Sequence, residues 1–232
     1  MADLVPINEI FGPTIQGEGV MIGCPTIFVR TQGCDFSCQW CDTKYALPRI
    51  APEMKRLTVE QIVDTIEDIR RGVSWVTLSG GNPLIHDLGP LIRELHQTDM
   101  LVAVETQGSI YKVWVEECDT VVVSPKPPSS GIPFTESMWH TLDKFLALPV
   151  SCLKIVVSTE EDLEFVRGLS RKYEDTPISV QPCNTVGEDT IESLLEKLRW
   201  LTDKIVNDQE LGEHVVILPQ LHVLMYENKR GV

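Results

Sequence analysis

The sequence predicts an α/β protein whose sheet is an open, partial TIM-like barrel of about six parallel strand–helix units, with an N-terminal hairpin extension. The first observation behind this prediction is that strand and helix patterns alternate along most of the chain, which implies a parallel sheet with right-handed crossovers. The second is that glycines and polar residues cluster just after each strand, at the edge that carries the active site in barrel-like folds. About six or seven units are too few to close an eight-unit barrel.

The N-terminal hairpin is predicted from an apolar lead-in and a turn-rich stretch at residues 12–19, both within the first 27 residues. The glycines of this stretch and Pro13 permit tight turns and a close approach of the backbone to a ligand. A plain hairpin turn explains them equally well. Residues 26–31 then read as a buried strand that leads into a cysteine-rich loop.

The first helix is predicted from a capping box, with Thr58 as N-cap and Gln61 at the third helical position. One apolar face carries it to about Arg71, and Gly72 ends it. The alternation continues with strands at 73–79, 100–106, 120–124, 153–158, 178–181 and 214–218, and with helices at about 86–97, 160–172 and 188–205. Residues 125–133 form a predicted long loop, and since no linker or repeat divides the chain, one domain is expected over residues 1–232.

The loop at residues 33–43 holds three cysteines, Cys34, Cys38 and Cys41, in a C-x-x-x-C-x-x-C spacing. Thiolates are soft ligands suited to iron–sulfur clusters or zinc. Three of them can neither close a tetrahedral site nor bind all four irons of a four-iron cluster. Either a fourth protein ligand completes the site, such as Cys24 for zinc, or one metal is left open for another molecule.

Composition narrows the possible functions. The 232 residues are 43% apolar and 23% charged, as in an ordinary globular protein. No apolar run approaches the roughly 20 residues that span a bilayer, and the first residues do not resemble a secretory signal. A formal charge of −14 argues against binding to nucleic acid or anionic membranes. Seven cysteines without an export signal favour metal or catalytic use in a reducing cytoplasm.

The cysteine spacing after a first strand, with Trp40 before the third cysteine and Gly80-Gly81 after a second strand, resembles the radical S-adenosylmethionine (SAM) superfamily. The resemblance implies that Cys34, Cys38 and Cys41 hold a 4Fe–4S cluster whose fourth iron binds SAM. It also implies that the 5′-deoxyadenosyl radical performs the chemistry, so that no catalytic side chain is assigned. The zinc site stays as the alternative.

Five motifs and the tail resemble the 7-carboxy-7-deazaguanine synthase family. They are residues 14–19, 41–43, 80–83, 105–108 and 124–127, with 218–222 and 228–232 in the tail. The resemblance implies a lyase that converts 6-carboxy-5,6,7,8-tetrahydropterin to 7-carboxy-7-deazaguanine with loss of ammonia, in queuosine biosynthesis. Hydrogen would be taken from C6 of the pterin, the ring would contract and the hydrogen would return. Family members use Mg²⁺ and form homodimers.

The same resemblance assigns binding residues. The cofactor positions are Trp40, Cys41 and Asp42 along the adenine, Gly81 (after Gly80) at the amino group, Ser124, Pro125 and Lys126 at the ribose and carboxylate, and Gln181, Pro182, Cys183 and Asn184 as a third segment. The substrate positions are Ile15, Gln16, Gly17, Arg30, Ser79, His222 and the terminal Val232, and Thr43 is the Mg²⁺ ligand. Arg30 faces the substrate carboxylate in this assignment, because a guanidinium can bind a carboxylate bidentately. Glu105 could bind the ribose.

Two further hypotheses come from the residues themselves. Lys44, Arg49, Lys55 and Arg56 form a basic stretch in an acidic chain, which could dock an acidic electron donor such as flavodoxin or ferredoxin. A solvated loop explains it equally well. The predicted helix near residues 193–201 carries Leu194, Leu195, Leu198, Trp200 and Leu201, more apolar surface than one core-facing stripe needs, so it could form part of a dimer interface.

Two other functions fit the cysteine loop. A radical activase that makes a glycyl radical on a partner protein would use the same cluster chemistry. A non-catalytic iron–sulfur carrier or zinc module would need only the cysteines. Neither gives a reason for Gln16, Arg30 and His222 to occur together.

Overall fold

The computed structural model describes residues 4–48 and 51–232, in which nine strands form one sheet. The strands are β1 Val5–Ile15, β2 Pro25–Thr31, β3 Lys55–Leu57, β4 Trp75–Gly80, β5 Leu101–Thr106, β6 Thr120–Val123, β7 Ser151–Val157, β8 Ile178–Pro182 and β9 Val215–Ile217. The helices are α1 Val59–Ile69, α2 Gly89–Gln97, α3 Glu136–Leu146, α4 Glu160–Lys172, α5 Ile191–Val206 and α6 Leu221–Tyr226. Short 3₁₀ turns lie at Gly19–Met21, Lys44–Ala46, Pro83–Ile85, Val113–Glu117 and Pro128–Ser130.

The sheet is open, with strand order β3-β1-β2-β4-β5-β6-β7-β8-β9. From β2 through β4 to β9 every neighbouring pair is parallel, whereas β1 runs antiparallel to both β2 and β3. The first and last strands in this order do not pair with each other, so the sheet does not close. The predicted α/β class, open sheet and N-terminal hairpin are therefore confirmed.

The hairpin differs from the prediction in where its turn begins. Residues 12–15 were expected to belong to the turn, but they are the last residues of β1, and Ile15 pairs with Pro25 of β2. The register shifts between Phe11 and Thr14, so a glycine in this stretch marks an irregularity within a strand. The connection itself is the segment 16–24, which crosses the concave face of the sheet.

Local sequence signals set several boundaries correctly. The capping box of α1 is formed, with Gln61 N donating to Thr58 Oγ1 at 3.2 Å and Thr58 N to Gln61 Oε1 at 2.9 Å. Helix α4 has the predicted bounds 160–172. Helix α2 begins at Gly89, three residues later than predicted, where Gly89 N donates to Asp87 Oδ1 at 3.2 Å. Helix α5 begins at Ile191 because Thr190 caps it.

Three elements were not predicted from the sequence. Helix α3 buries Leu142 and Phe145 in the core, β3 extends the sheet beside β1, and α6 starts at Leu221 and covers the cavity described below. The segments of β3 and α6 are too short for a hydrophobic period to be read.

Side chains alternate along the strands between two environments. In β7, Leu153, Ile155 and Val157 are buried in the core on the helix-covered face. Lys154 and Val156, between them, line a cavity on the concave face. The same alternation places a polar side chain from most central strands on that concave face. In the described part of the chain no helix is long and apolar enough to cross a membrane.

Candidate active site

A cavity of about 530 Å³ lies on the concave face, at the carboxyl ends of the parallel strands. It is bounded by the cysteine loop, the strand ends, the connection after β1 and the C-terminal segment. The predicted residues that line it are Ile15, Gln16, Gly17, Arg30, Cys34, Cys38, Trp40, Cys41, Asp42, Thr43, Ser79, Gly81, Ser124, Lys126, Gln181, Asn184, His222 and Val232. Three predicted cofactor residues, Pro125, Pro182 and Cys183, are buried and do not line it.

Cys183 is packed away from this space. Its side chain is 3% exposed, and burial raises the pKa of its thiol to about 12. Its carbonyl oxygen accepts a hydrogen bond from Lys197 Nζ at 3.2 Å. Cys183 therefore contributes to the packing of the segment that places Gln181 and Asn184 at the cavity wall.

The cysteine loop is held on one side by the ends of β4 and β5. Asp35 accepts hydrogen bonds from Asn82 Nδ2 at 2.8 Å, Gln107 Nε2 at 2.6 Å and Ser109 Oγ at 2.6 Å. Asn82 is fully buried, and its Oδ1 accepts from Thr106 Oγ1 at 3.0 Å. The Asn82 amide can donate to Asp35, whereas an ionised carboxylate in its place would have no hydrogen to donate.

The other side of the loop is held by the segment after β6. Trp40 Nε1 donates to Ser129 Oγ at 3.0 Å, and Gln39 N donates to Ser130 O at 3.0 Å. Asp162, fully buried at the start of α4, accepts a hydrogen bond from Ser129 N at 2.9 Å. The loop is thus fixed from both sides by contacts within the protein. Asp35, Ser129 and Asp162 were missed at the sequence level, because only contacts across the fold reveal them.

The three thiols face the cavity from this fixed loop. Burial raises the pKa of Cys34 and Cys38, and it raises that of Cys41 to about 11 with a further contribution from Asp42. A thiol of this kind becomes a thiolate at neutral pH when a metal replaces its proton. Lys126, whose ammonium lies 5.8 Å from the Trp40 ring centroid, opposes the effect of burial at Cys38.

The arrangement fits an iron–sulfur cluster better than zinc. Cys24 precedes β2 and the cysteine loop follows it, so a strand of seven residues, about 20 Å long, separates them. Within residues 4–48 and 51–232, no three histidine, cysteine or carboxylate side chains stand close enough to bind one metal ion. Zinc needs all its ligands on one ion, whereas cluster cysteines bind different irons. The three free thiols match the latter requirement.

Gly81 lies where β4 ends against the cysteine loop. A Cβ at this position would stand 2.2 Å from Gly33 O and 2.8 Å from Cys34 Cβ. Both contacts are far inside van der Waals distance. Glycine is therefore required here for close packing of the loop.

Gly81→Ala should displace the cysteine loop and reduce the iron bound per chain after anaerobic reconstitution by more than half. The methyl group meets backbone atoms that cannot move without moving Cys34. Gly168→Ala is the matched control, because a Cβ there meets nothing within 4 Å. It should bind the wild-type amount of iron and be stabilised by about 0.5–1 kcal/mol. Wild-type iron content in Gly81→Ala would contradict this account of the packing.

The floor of the cavity is a buried charge network that the sequence reading missed. Lys154, 9% exposed, forms ion pairs with Glu18 and, at 3.2 Å, with Glu105 Oε1. Gln181 Nε2 donates to Glu18 Oε1 at 2.8 Å, and Gln16 Nε2 to Glu105 Oε1 at 3.3 Å. The sequence does contain one signal for this network, because Lys154 stands between the apolar residues 153 and 155 of a predicted strand.

The ion pair between Glu18 and Lys154 keeps both side chains charged. Burial alone would raise the pKa of Glu18, but Lys154, His222 and the hydrogen bonds outweigh it and hold that pKa well below its ordinary value. Burial likewise disfavours the charge of Lys154, but the two carboxylates raise its pKa above the ordinary value. Glu18 and Lys154 are therefore ionised at neutral pH.

Several buried amide oxygens have no partner within the described chain. They are Gln181 Oε1, Asn184 Oδ1 and Gln220 Oε1. Gln181 and Asn184 line the cavity, and Gln220 donates to Glu18. A buried unpaired acceptor costs free energy unless a ligand supplies a donor. These oxygens therefore fit a ligand rich in N–H or O–H groups.

His222 and Gly17 lie in direct contact. A Cβ on Gly17 would be 2.1 Å from His222 Nδ1, and Leu221 N donates to Gly17 O at 2.9 Å. Helix α6 is thus seated on the connection after β1. The loop and the C-terminal region form one wall of the cavity.

Arg30 lies on the same wall as the C-terminal segment. Its Nε donates to Glu9 Oε1 at 2.7 Å, and its side chain is 15% exposed. Thr43 is near the cysteines, and its Oγ1 donates to Asp42 Oδ1 at 2.7 Å. Two hard oxygen donors therefore stand side by side at the cavity edge, as Mg²⁺ prefers.

The predicted docking stretch and the predicted dimer helix differ in how exposed their residues are. Lys44, Lys55 and Arg56 are exposed, whereas Arg49 lies outside the described residues. In α5, Leu194 and Leu201 are buried in the chain's own core, so they are not available to a partner. The half-buried residues left from that list are Leu195, Leu198 and Trp200.

Known proteins are similar to this chain in sequence and in fold. Residues 28–126 match the family model described as the radical SAM superfamily. Over 247 aligned residues the chain is 40% identical to a 7-carboxy-7-deazaguanine synthase of Bacillus subtilis, covering 100% of both chains. It is also 40% identical to a 7-carboxy-7-deazaguanine synthase of Bacillus cereus, over 98% of this chain and 99% of that protein.

Solved structures agree on the fold. The crystal structure of QueE from Escherichia coli superimposes with a TM-score of 0.73 at 24% identity, covering 94% of this chain and 95% of that one. Streptococcus suis SuiB bound to S-adenosylmethionine gives a TM-score of 0.58 at 16% identity, over 84% of this chain and 51% of that one. The open parallel sheet is thus shared with both.

Proposed function

Because the chain belongs to the 7-carboxy-7-deazaguanine synthase family of the radical SAM superfamily, we propose that its cavity converts 6-carboxy-5,6,7,8-tetrahydropterin to 7-carboxy-7-deazaguanine. The protein is a radical SAM lyase of queuosine biosynthesis, and ammonia is the group released. The observation that carries the substrate assignment is the buried network of Glu18, Lys154 and Glu105, which shares one cavity with the cysteine loop.

The cofactors are a 4Fe–4S cluster and SAM, which together supply a 5′-deoxyadenosyl radical that removes a hydrogen atom from the substrate. Cys34, Cys38 and Cys41 hold the cluster in this proposal. Trp40 and Asp42 flank the cofactor, and Gly81, which lines the cavity, lies at the cofactor amino group. Ser124 and Lys126, hydrogen-bonded to each other at 3.0 Å, and the amides of Gln181 and Asn184 complete its binding site.

The pterin occupies the deeper part of the cavity. The carboxylates of Glu18 and Glu105 accept hydrogen bonds from the amino and ring N–H groups of the pterin, so Glu105 is assigned here to the substrate and not to the ribose of the cofactor. Arg30 binds the substrate carboxylate, with Gln16, Gly17, Ser79 and His222 enclosing the ring. Ion pairs with Lys154 fix Glu18 and Glu105, so these two carboxylates orient the substrate before reaction.

Mg²⁺ is held by Thr43 in this proposal, with substrate oxygens as further ligands. Asp42, hydrogen-bonded to Thr43, is the neighbouring carboxylate and adds negative charge beside the ion. Magnesium commonly uses one or two protein ligands and keeps several positions for substrate and water.

The decisive experiment is anaerobic turnover of the reconstituted protein with SAM, reductant, Mg²⁺ and 6-carboxytetrahydropterin. We expect 7-carboxy-7-deazaguanine and ammonia in equal amounts, and none without SAM. Cleavage of SAM with no deazapurine would sink the substrate assignment while leaving the superfamily chemistry intact. Hydrogen abstraction from a partner polypeptide instead of the pterin would support the alternative function, a radical activase.

An acidic electron donor, flavodoxin or ferredoxin, docks on Lys44, Lys55 and Arg56 in this proposal, because these exposed bases stand out in a chain of net charge −14. Lys55→Glu with Arg56→Glu should slow cluster reduction by flavodoxin at low salt by about tenfold and weaken its salt dependence. Lys112→Glu with Arg199→Glu carries the same charge change on other exposed positions and should leave the rate unchanged. Equal rates in both double variants would refute the docking site.

The remaining proposals concern the state of the protein in the cell. We propose a homodimer that includes the half-buried Leu195, Leu198 and Trp200 of α5; a monomer by sedimentation, or a dimer unaffected by Leu198→Glu, would refute it. We also propose that residues 1–232 form one domain. A cytoplasmic location completes the proposal, since all seven cysteines are free thiols.

A further inference from the structure

Arg230, the third residue from the end of the sequence, makes an unusual number of specific contacts for an exposed tail residue. Its Nε donates to Glu9 Oε2 at 2.9 Å, its Nη1 to Glu53 Oε2 at 2.7 Å and its Nη2 to Asn8 Oδ1 at 2.5 Å. Its guanidinium lies 4.0 Å from the centroid of the Tyr45 ring. All three guanidinium nitrogens of Arg230 therefore donate hydrogen bonds, and the guanidinium also contacts an aromatic ring. An arginine can make this set of contacts and a lysine cannot.

Glu9 connects this arginine to Arg30. One carboxylate oxygen, Oε1, accepts from Arg30 Nε at 2.7 Å, while the other, Oε2, accepts from Arg230. Tyr45 adds a bond from its hydroxyl to Glu9 Oε1 at 3.3 Å, and its ring also lies 5.9 Å from the Arg30 guanidinium. With its side chain 15% exposed, Glu9 is thus held from both ends.

Sharing one carboxylate between two arginines has a geometric consequence. Because Arg230 occupies Oε2 of Glu9, that carboxylate does not form a bidentate pair with Arg30. Among the contacts of the described residues, Arg30 uses only its Nε on a carboxylate. Its outer nitrogens remain free to bind an anion in the bidentate manner.

The contacts also hold the tail across the cavity. Residues 227–232 all line it, and Asn228 accepts a bond from Asn184 Nδ2 at 2.7 Å on the opposite side. Arg230 is the point at which this segment is fastened to β1 and to the turn that contains Tyr45. Removing it would release the tail and allow Arg30 to pair with both oxygens of Glu9.

We propose that Arg230 is a positioning residue for substrate recognition: it occupies the second oxygen of Glu9, so that Glu9 holds only the Nε of Arg30, and it fixes the C-terminal segment. Arg30 then presents its outer nitrogens to the substrate carboxylate. This inference rests on the proposed function, which supplies a carboxylated substrate. Arg230 itself need not contact the pterin.

The test measures binding to the reconstituted holoenzyme without reductant, so that no turnover occurs. Anaerobic calorimetry gives the Kd of 6-carboxytetrahydropterin and that of tetrahydropterin without the carboxyl group, and their ratio reports how well the carboxylate is recognised. In Arg230→Gln this ratio should fall about tenfold, the size of one charged hydrogen bond. Arg171→Gln, which removes a surface arginine paired with Glu210, is the control and should keep the wild-type ratio.

The possible results distinguish an error in the proposed substrate from an error in the role of Arg230. A wild-type protein with no preference for the carboxylated pterin would contradict the proposed substrate, and the inference with it. A clear wild-type preference that Arg230→Gln retains would overturn the inference alone. Iron content and the Kd for SAM should match the wild type, because a general disturbance of the fold would change both.

If Arg230→Gln does not load its cluster, Glu9→Gln tests the same link from its other side. Losing the carboxylate removes the group that orients Arg30, so the ratio should fall here too. An unchanged ratio in Glu9→Gln would overturn the proposal independently of the tail.

Discussion

Replacing Cys38 with alanine should give a folded protein that binds no 4Fe–4S cluster and has no measurable turnover. The family chemistry uses three thiolates, and two cannot hold the cluster with one iron open to SAM. The loop should keep its place, because Asp35 and the backbone bonds to residues 46, 47 and 130 hold it without the thiol. Iron and sulfide analysis, visible absorbance after reconstitution and product formation give three separate readouts.

Cys24→Ala is the matched control for this prediction. Cys24 is also a free, partly exposed cysteine, but it lies at the far end of β2. The variant should bind the wild-type amount of iron and turn over at the wild-type rate. Loss of metal in Cys24→Ala, or an intact cluster in Cys38→Ala, would end the assignment of the three-cysteine site.

Lys154→Met should destabilise the protein by about 3–5 kcal/mol at pH 8, the cost of leaving buried carboxylates without their partner. In the wild type, Lys154 lies between Glu18 and Glu105 at the cavity floor and is 9% exposed. Methionine fills a similar volume but supplies no charge, so the loss is electrostatic. Chemical unfolding followed by circular dichroism measures it.

The pH dependence of this effect has a definite sign. In the wild type the folded pKa of Glu18 is depressed, so its contribution to stability is present above the ordinary carboxyl pKa and is lost only as pH falls far below it. In Lys154→Met burial dominates and raises the folded pKa. The contribution is then present at low pH and is lost as pH rises through that raised value. The difference between wild type and variant should therefore widen from pH 5 to pH 8.

Lys204→Met controls for the loss of a lysine in an ion pair. Lys204 pairs with Glu160, but their side chains are 41% and 64% exposed. Its removal should cost no more than about 1 kcal/mol, with little change between pH 5 and pH 8. A gap between Lys154→Met and the wild type that narrows as pH rises would refute the account of the cavity floor.

Much of the candidate site was predictable because it follows chemical rules that act over short stretches of sequence. Three thiols in eight residues indicate a soft metal, and Gly80-Gly81 after a strand indicates close backbone approach. The capping box of Thr58 and Gln61 acts within one turn, so the start of α1 was predicted correctly, although the helix ends at Ile69 and not at about Arg71. Elements without such a signal, such as β3 and α6, were missed.

The sequence by itself determined the α/β class, the open parallel sheet and the metal-binding loop, because each depends on periodicity or on spacing within a short segment. Only the tertiary structure decided what the loop is fixed to and what shares its cavity. Asp35 meets Gln107 across 72 positions, Lys154 meets Glu18 across 136, and Arg230 meets Glu9 across 221. Contacts of that separation depend on how strands are ordered in the sheet, so their residues look like ordinary surface charges until the chain is folded.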